Sequence, residues 1–225
     1  MITHFRKFVV GSAAVSQDKK ASHSVSHFEK IKSVWHGELY EDFGIERIFR
    51  LFLISAKLLF PGIYLKLLFA RGNYLAKKLI GEGYVLLKTF LPLLVLSCGV
   101  YTSVFFQVLN VYLLSETLIY IFNKIYVSEQ ETGTEHKRSL LLLFFNFMEV
   151  VLAYAVLYAG GNYLNYPIES TMDAIYFSTI TGATIGYGDL YPITSVGKFL
   201  VISQTLTSLS FLVLFFNFFG AKISR

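Results

Sequence analysis

Thr184-Ile185-Gly186-Tyr187-Gly188-Asp189 lies between two long apolar runs, one ending near Gly160 and the other beginning near Gly197. Without a Cβ, Gly186 and Gly188 can take up positive φ angles, which lets consecutive peptide units point their carbonyls toward the same side. A row of inward carbonyls is a cation site. Thr184 adds a hydroxyl at the inner end, the bodies of Ile185 and Tyr187 can pack outward into a supporting shell, and Asp189 places a carboxylate at the exit. One copy supplies a quarter of a cage, because encircling a dehydrated ion takes several such strands around an axis. The chain carries no second copy, so a closed symmetric homotetramer is the expected assembly.

The flanks are read outward from this stretch. Leu140 to Tyr158 is an apolar span, Gly160 to Glu169 a polar turret, and Ser170 with Asp173 a capping-box pattern for a helix from about Thr171 to Gly182. The carbonyl end of that helix favours a cation through its dipole. A second apolar helix is expected from Gly197 to Phe219. Between Arg138 and Lys198 there is no lysine or arginine, which fits an extracellular turret and loop.

In these residues the sequence resembles the tetrameric potassium channel family, whose filter signature is threonine, an aliphatic residue, Gly-Tyr-Gly and aspartate. The resemblance runs from Ser139 to Phe219, with Asp173 to Asp189 as pore helix and filter, Leu190-Tyr191-Pro192 leading away and Gly197-Lys198 opening the inner helix. It implies an all-α integral membrane protein with a re-entrant pore helix and filter loop, assembled as a homotetramer. The implied activity is passive, selective conduction of K+, the permeant ion; no cofactor is implied. The carbonyls of Thr184, Ile185, Gly186 and Tyr187, with the Thr184 hydroxyl, replace the water shell of the dehydrated ion.

Other roles are carried over residue by residue. Gly188, Asp189 and the pore-helix aromatics Tyr176 and Phe177 fall where the filter is braced, with the Tyr176 phenol in reach of Asp189; plain packing is the alternative for Tyr176. Some family members place a glutamate four residues before the filter threonine, a position held here by Ile180. Ser208 stands where many relatives carry a hinge glycine, and serine bends a helix less readily. Leu209, Leu212 and Phe216 face the cavity on the same alignment, and a ring of four Phe216 side chains is a candidate dewetting gate, with lipid contact as its alternative.

Composition agrees with a membrane protein: 54% of residues are hydrophobic and 16% charged, against about 25% charged in soluble domains. The net charge of +5 is scattered at the ends of apolar runs and forms no patch for nucleic acid. Cys98 is the only cysteine, so an intrachain disulfide is impossible and no cysteine metal cluster is on offer. No nucleophile–base pair, metal ligand set or phosphate-binding glycine loop suggests an enzyme.

Residues 1–47 read as a polar cytoplasmic arm. Gly11 and Ser12 break the one apolar stretch that resembles a signal peptide. Phe28, Ile31, Trp35 and Leu39 recur at helical spacing, suggesting an amphipathic helix along the inner membrane surface. His23 and His27, with His36 further on, read as surface histidines, since no firm third metal ligand accompanies them.

Residues 48–84 hold an apolar segment, Ile48 to Phe69, read as interfacial or re-entrant because Arg50, Lys57, Lys66 and Pro61-Gly62 interrupt it, followed by a basic linker. Arg71, Lys77, Lys78 and Lys88 are expected to stay cytoplasmic. Residues 85–127 are apolar for about twice the ~20 residues that one crossing needs, giving two accessory spans with a tight turn near Tyr101 to Asn110. Residues 128–138 form a polar cytoplasmic linker, 139–220 the pore module and 221–225 a short tail. The expected protein thus has four transmembrane helices per subunit, lies in the cell membrane and keeps both termini in the cytoplasm.

Glu149 lies near mid-depth in the outer helix, with Asn146 a turn earlier, and Glu116 sits in the preceding span. An intramembrane carboxylate is costly unless paired, hydrogen-bonded or protonated, so both are regulatory candidates, as a pH sensor or a static brace. The span ending near Tyr126 has only Lys124 where a steep voltage sensor needs a basic residue every third position. The reading is therefore a potassium-selective channel without steep voltage gating. Its alternatives are a weakly selective cation channel and a non-conducting regulatory subunit.

Overall fold

The computed structural model describes residues 44–69, 74–126 and 133–223. The histidines at 23, 27 and 36, the amphipathic helix expected over residues 28–39, Arg71, residues 128–132 of the expected linker and the last two residues lie outside that set, whereas residues 133–138 of that linker are helical. All regular elements among the described residues are helical, apart from one isolated bridge between Leu164 and Pro192. The chain divides into two units, residues 1–84 and 85–225.

In the first unit, α1 (Ile45–Ala56) leads through a single 3-10 turn, Lys57–Leu59, into α2 (Pro61–Phe69). Proline cannot continue a helix from the preceding turn, and Phe60 is extended ahead of it, so the apolar segment breaks there. Twelve helical residues rise about 18 Å, well short of the ~30 Å of a bilayer core. Arg50 is buried on α1 and paired with Glu46 at 3.0 Å.

Helix α3 (Tyr74–Ser97) runs on into the second unit, followed by α4 (Val104–Tyr126), α5 (Gly133–Ala159), α6 (Thr171–Gly182) and α7 (Ser195–Ile223). Four stretches of these helices are long and apolar enough to cross a membrane: Lys78–Ser97, Val104–Tyr126, Arg138–Ala159 and Ser195–Phe216. The turn between the first two runs from Gly99 to Ser103, overlapping only the start of the expected Tyr101 to Asn110. Gly99 takes the left-handed conformation (φ 69°) and a 3-10 turn over Val100–Thr102 completes the reversal. Gln107 and Asn110, read from sequence as turn residues, are helical.

Helix α5 is the centre of the second unit. Val150, Val151, Leu152, Ala153, Tyr154, Ala155, Val156 and Tyr158 are all buried, so this half of the helix is enclosed on every side. Apolar packing discriminates poorly between helix pairs in lipid, where polar side chains add direction. Here the neighbours donate to α5 carbonyls: Thr89 to Phe145 (3.2 Å), Asn110 to Ala153 (2.9 Å), Gln107 to Val156 (3.0 Å) and Ser178 to Val151 (2.6 Å).

Candidate functional site

Helix α6 and the loop after it are set by local chemistry. Asp173 N–H donates to the Ser170 hydroxyl (3.1 Å) while Ser170 N–H donates to the Asp173 carboxylate (2.9 Å), closing the capping box read from the sequence. At the other end, Ala183 N–H donates to the Thr179 carbonyl (2.8 Å) and Thr184 N–H to that of Thr181 (3.1 Å). The Ile180 carbonyl accepts from both Ile185 (2.9 Å) and Gly186 (3.3 Å). The helix end thereby takes up the amides of the first half of the loop, through Gly186.

The loop alternates in hand. Gly186 (φ 55°) and Gly188 (φ 84°) take the positive φ angles expected of them, and Thr184 does so too at φ 57°. Glycine does this without cost, but a β-branched residue there is an outlier carrying on the order of 1–3 kcal/mol of strain. Sequence reading missed Thr184 because threonine gives no local signal for that conformation. The carbonyl oxygens of Thr184, Ile185, Gly186 and Tyr187 accept no hydrogen bond among the described residues. A run of unbonded carbonyls on a backbone of alternating hand is a set of hard oxygen donors suited to a cation.

The exit of the loop is held from two sides. The Tyr176 hydroxyl donates to the Asp189 carboxylate at 2.7 Å. That bond holds the Asp189 carboxyl below its ordinary range and raises the phenol of Tyr176 above its own. From the connection between α5 and α6, Asn165 donates its amide to the Asp189 carbonyl (3.0 Å) and accepts from Tyr191 N–H (2.8 Å). Asn165 was not singled out from the sequence. Phe177 is buried and meets Tyr158 edge to face at 4.7 Å.

Ile185 and Tyr187 are 53% and 70% exposed, so the shell expected around them is not supplied by their own chain. Thr184, Gly186 and Gly188 border an open cleft of about 360 Å³, lined also by Phe177, Val201 and Thr205. On α7, Leu209, Leu212 and Phe216 share an exposed face, whereas Ser208 is buried. The Ser208 hydroxyl lies 3.4 Å from where a Cβ on Gly182 would stand.

The two carboxylates read from the sequence meet a partner that the sequence reading placed elsewhere. Lys88, expected in a cytoplasmic basic stretch, is buried within the Lys78–Ser97 span. Its ammonium lies 3.3 Å from Glu149 and 3.9 Å from Glu116 and donates to the Thr117 hydroxyl. Thr117 in turn donates to Glu149 at 2.7 Å. A lysine is tolerated at this depth because carboxylates on two neighbouring helices share its charge.

These features define a helical integral membrane protein with a cation-suited loop between its last two spans. A model described as "ion channel" matches residues 107–225, more than half of the chain. The chain belongs to that ion channel family, which is not a family of enzymes. It is 42% identical over 50 residues to a voltage-gated potassium channel of Aeropyrum pernix, covering 22% of this chain and 17% of the other. It is 42% identical over 50 residues to a hyperpolarization-activated voltage-gated potassium channel of Methanocaldococcus jannaschii, covering 22% of this chain and 24% of the other. A third relative, potassium voltage-gated channel subfamily A member 6 of Mus musculus, is 41% identical over 59 residues, or 26% of this chain and 11% of the other. The matched segments thus span less than a quarter of each of these relatives. No solved structure matches the chain.

Proposed function

We propose that four copies of this chain surround one axis and conduct K+ selectively and passively. The carbonyls of Thr184, Ile185, Gly186 and Tyr187 and the Thr184 hydroxyl form the ion sites. Helix α6 is the re-entrant pore helix, α5 the outer helix and α7 the inner helix. The observation that carries this reading is the run of carbonyls without hydrogen-bond partners on a loop whose φ is positive at Thr184, Gly186 and Gly188. The exposure of Ile185 and Tyr187 supports the tetramer, because neighbouring copies would supply the missing shell. The potassium channels among the relatives support the choice of ion.

Orientation follows from charge. The four spans among the described residues would leave the start of the first and the end of the last on one side, and the absence of lysine and arginine between Arg138 and Lys198 supports reading that side as the cytoplasm. The loop exit at Asp189 then faces outward at the cell membrane. Although the relatives above are named as voltage-gated, α4 carries one basic residue, Lys124, in its last turn. Lys88 is held by counter-charges. Moving one charge through 100 mV is worth only about 2.3 kcal/mol, so gating is not steeply voltage-dependent.

Reversal potential in planar bilayers under asymmetric potassium and sodium tests the proposal. A value following potassium is expected, and it should be lost in Gly186→Ala, which puts a Cβ at φ 55° at a cost of roughly 1–2 kcal/mol. A reversal potential that follows both ions equally would refute selectivity. An assembled protein that passes no potassium into liposomes would refute conduction.

A further inference from the structure

Three helices meet behind the loop in a polar chain closed to solvent. Tyr158 on α5, Ser178 on α6 and Gln204 on α7 are each 0% exposed. The Tyr158 hydroxyl donates to Gln204 Oε1 at 2.8 Å. Gln204 Nε2 donates to the Ser178 carbonyl (2.8 Å) and to the Ser178 hydroxyl (2.9 Å), and that hydroxyl donates to the Val151 carbonyl (2.6 Å). Both amide hydrogens of Gln204 and its carbonyl oxygen are therefore used. The direction of the amide is dictated as well, since turning it over would face Oε1 toward the Ser178 carbonyl, acceptor against acceptor.

This chain ends where the loop begins. Gln204 Nε2 lies 3.2 Å from where a Cβ on Gly182 would stand, so the amide rests against the last residue of α6. Ser178 precedes by two residues Ile180, whose carbonyl holds the amides of Ile185 and Gly186. Only one residue of helix, Thr179, separates the glutamine's acceptor from the group that fixes the loop. The surroundings are apolar, with Phe177 against Tyr158 and Phe211 fully buried. In such surroundings an amide with all its partners fixes one arrangement of the three helices, and one that loses a partner does not.

We propose that Gln204 is a positioning residue for ion selectivity. By tying α6 to α7 and, through Tyr158, to α5, it sets where Ile180 presents the Thr184–Gly188 loop to the conducting axis. The inference rests on the conduction reading above.

The test compares variants of the full chain by reversal potential under opposed potassium and sodium, with oligomer size and thermal stability recorded for each. Gln204→Leu is expected to raise sodium permeability relative to potassium about tenfold, equivalent to ~1.4 kcal/mol of selectivity, without loss of the oligomer. Gln204→Glu keeps the shape but sets a carboxylate oxygen against the Ser178 carbonyl, and it should shift selectivity in the same direction. A role confined to stability would lower the melting temperature and leave the permeability ratio unmoved. A selective parent whose Gln204 variants keep its ratio overturns the inference and leaves conduction standing, whereas an unselective parent overturns both. If Gln204→Leu does not assemble, the near-isosteric Gln204→Glu decides by the same criterion.

Discussion

Replacing Lys88 by methionine keeps most of the length of the side chain and removes its charge, leaving Glu149 buried beside Glu116 without the ammonium between them. Two unit charges 3.3 Å apart attract by about 5 kcal/mol at an effective dielectric near 20. Both members of the Lys88–Glu149 pair are almost wholly buried, so screening by solvent takes little from that figure. The gross attraction is offset by the cost of keeping both charges out of water, and it is the loss of one partner that is costly, at about 3–5 kcal/mol. Lys88→Met should therefore destabilise strongly. Glu149→Gln, which keeps an oxygen for Thr117, should also destabilise. The double variant should be less destabilised than the two costs together, with a coupling of about 2–3 kcal/mol. Unfolding titrations in mixed detergent micelles on all four proteins give that coupling. Costs that add to within roughly 0.5 kcal/mol would refute the claim that this pair joins α3 to α5.

Three further predictions concern the loop and its supports. The Asp189 carboxyl is held below its ordinary value of 3.8, so its bond to Tyr176 contributes above that value and is lost only as pH falls through the depressed one. Tyr176 is raised above 10.0 and remains a donor past that point. Conduction should thus show no titration from this pair between about pH 4 and 10, and a Tyr176-dependent step near neutrality, absent in Tyr176→Phe, would contradict the assignment. Gly197→Ala places a Cβ 2.9 Å from the Tyr163 carbonyl oxygen; it should cost about 1–3 kcal/mol by pushing the α5–α6 connection off α7, measured as a lowered melting temperature. Phe216→Ala should raise open probability if four rings close the pore by dewetting, and single-channel records unchanged from the parent would remove that gate.

The legible parts of this protein were those governed by neighbours in sequence. The capping box needs only Ser170 and Asp173, three residues apart, and its geometry is as read. Gly186 and Gly188 announce positive φ because no other residue takes it as freely. Gln107 and Asn110 misled, because polar residues within an apolar run look like a turn until the carbonyls they serve on α5 come into view. Lys88 misled in the same way. A lysine ten residues into a span reads as a boundary unless its counter-charges are known.

The amino-acid sequence by itself determined the apolar spans, the short helix ahead of the loop and the glycine pattern within the loop, because each depends on residue type and spacing along a few turns of chain. Only the tertiary structure decided that Lys88 sits with Glu149, that Gln204 closes a polar chain with Tyr158 and Ser178, and that Thr184 takes a left-handed backbone. Those contacts join residues 26 and 46 positions apart in the glutamine's case. They exist because buried polar groups must find partners, and packing alone settles which helices bring the partners within reach.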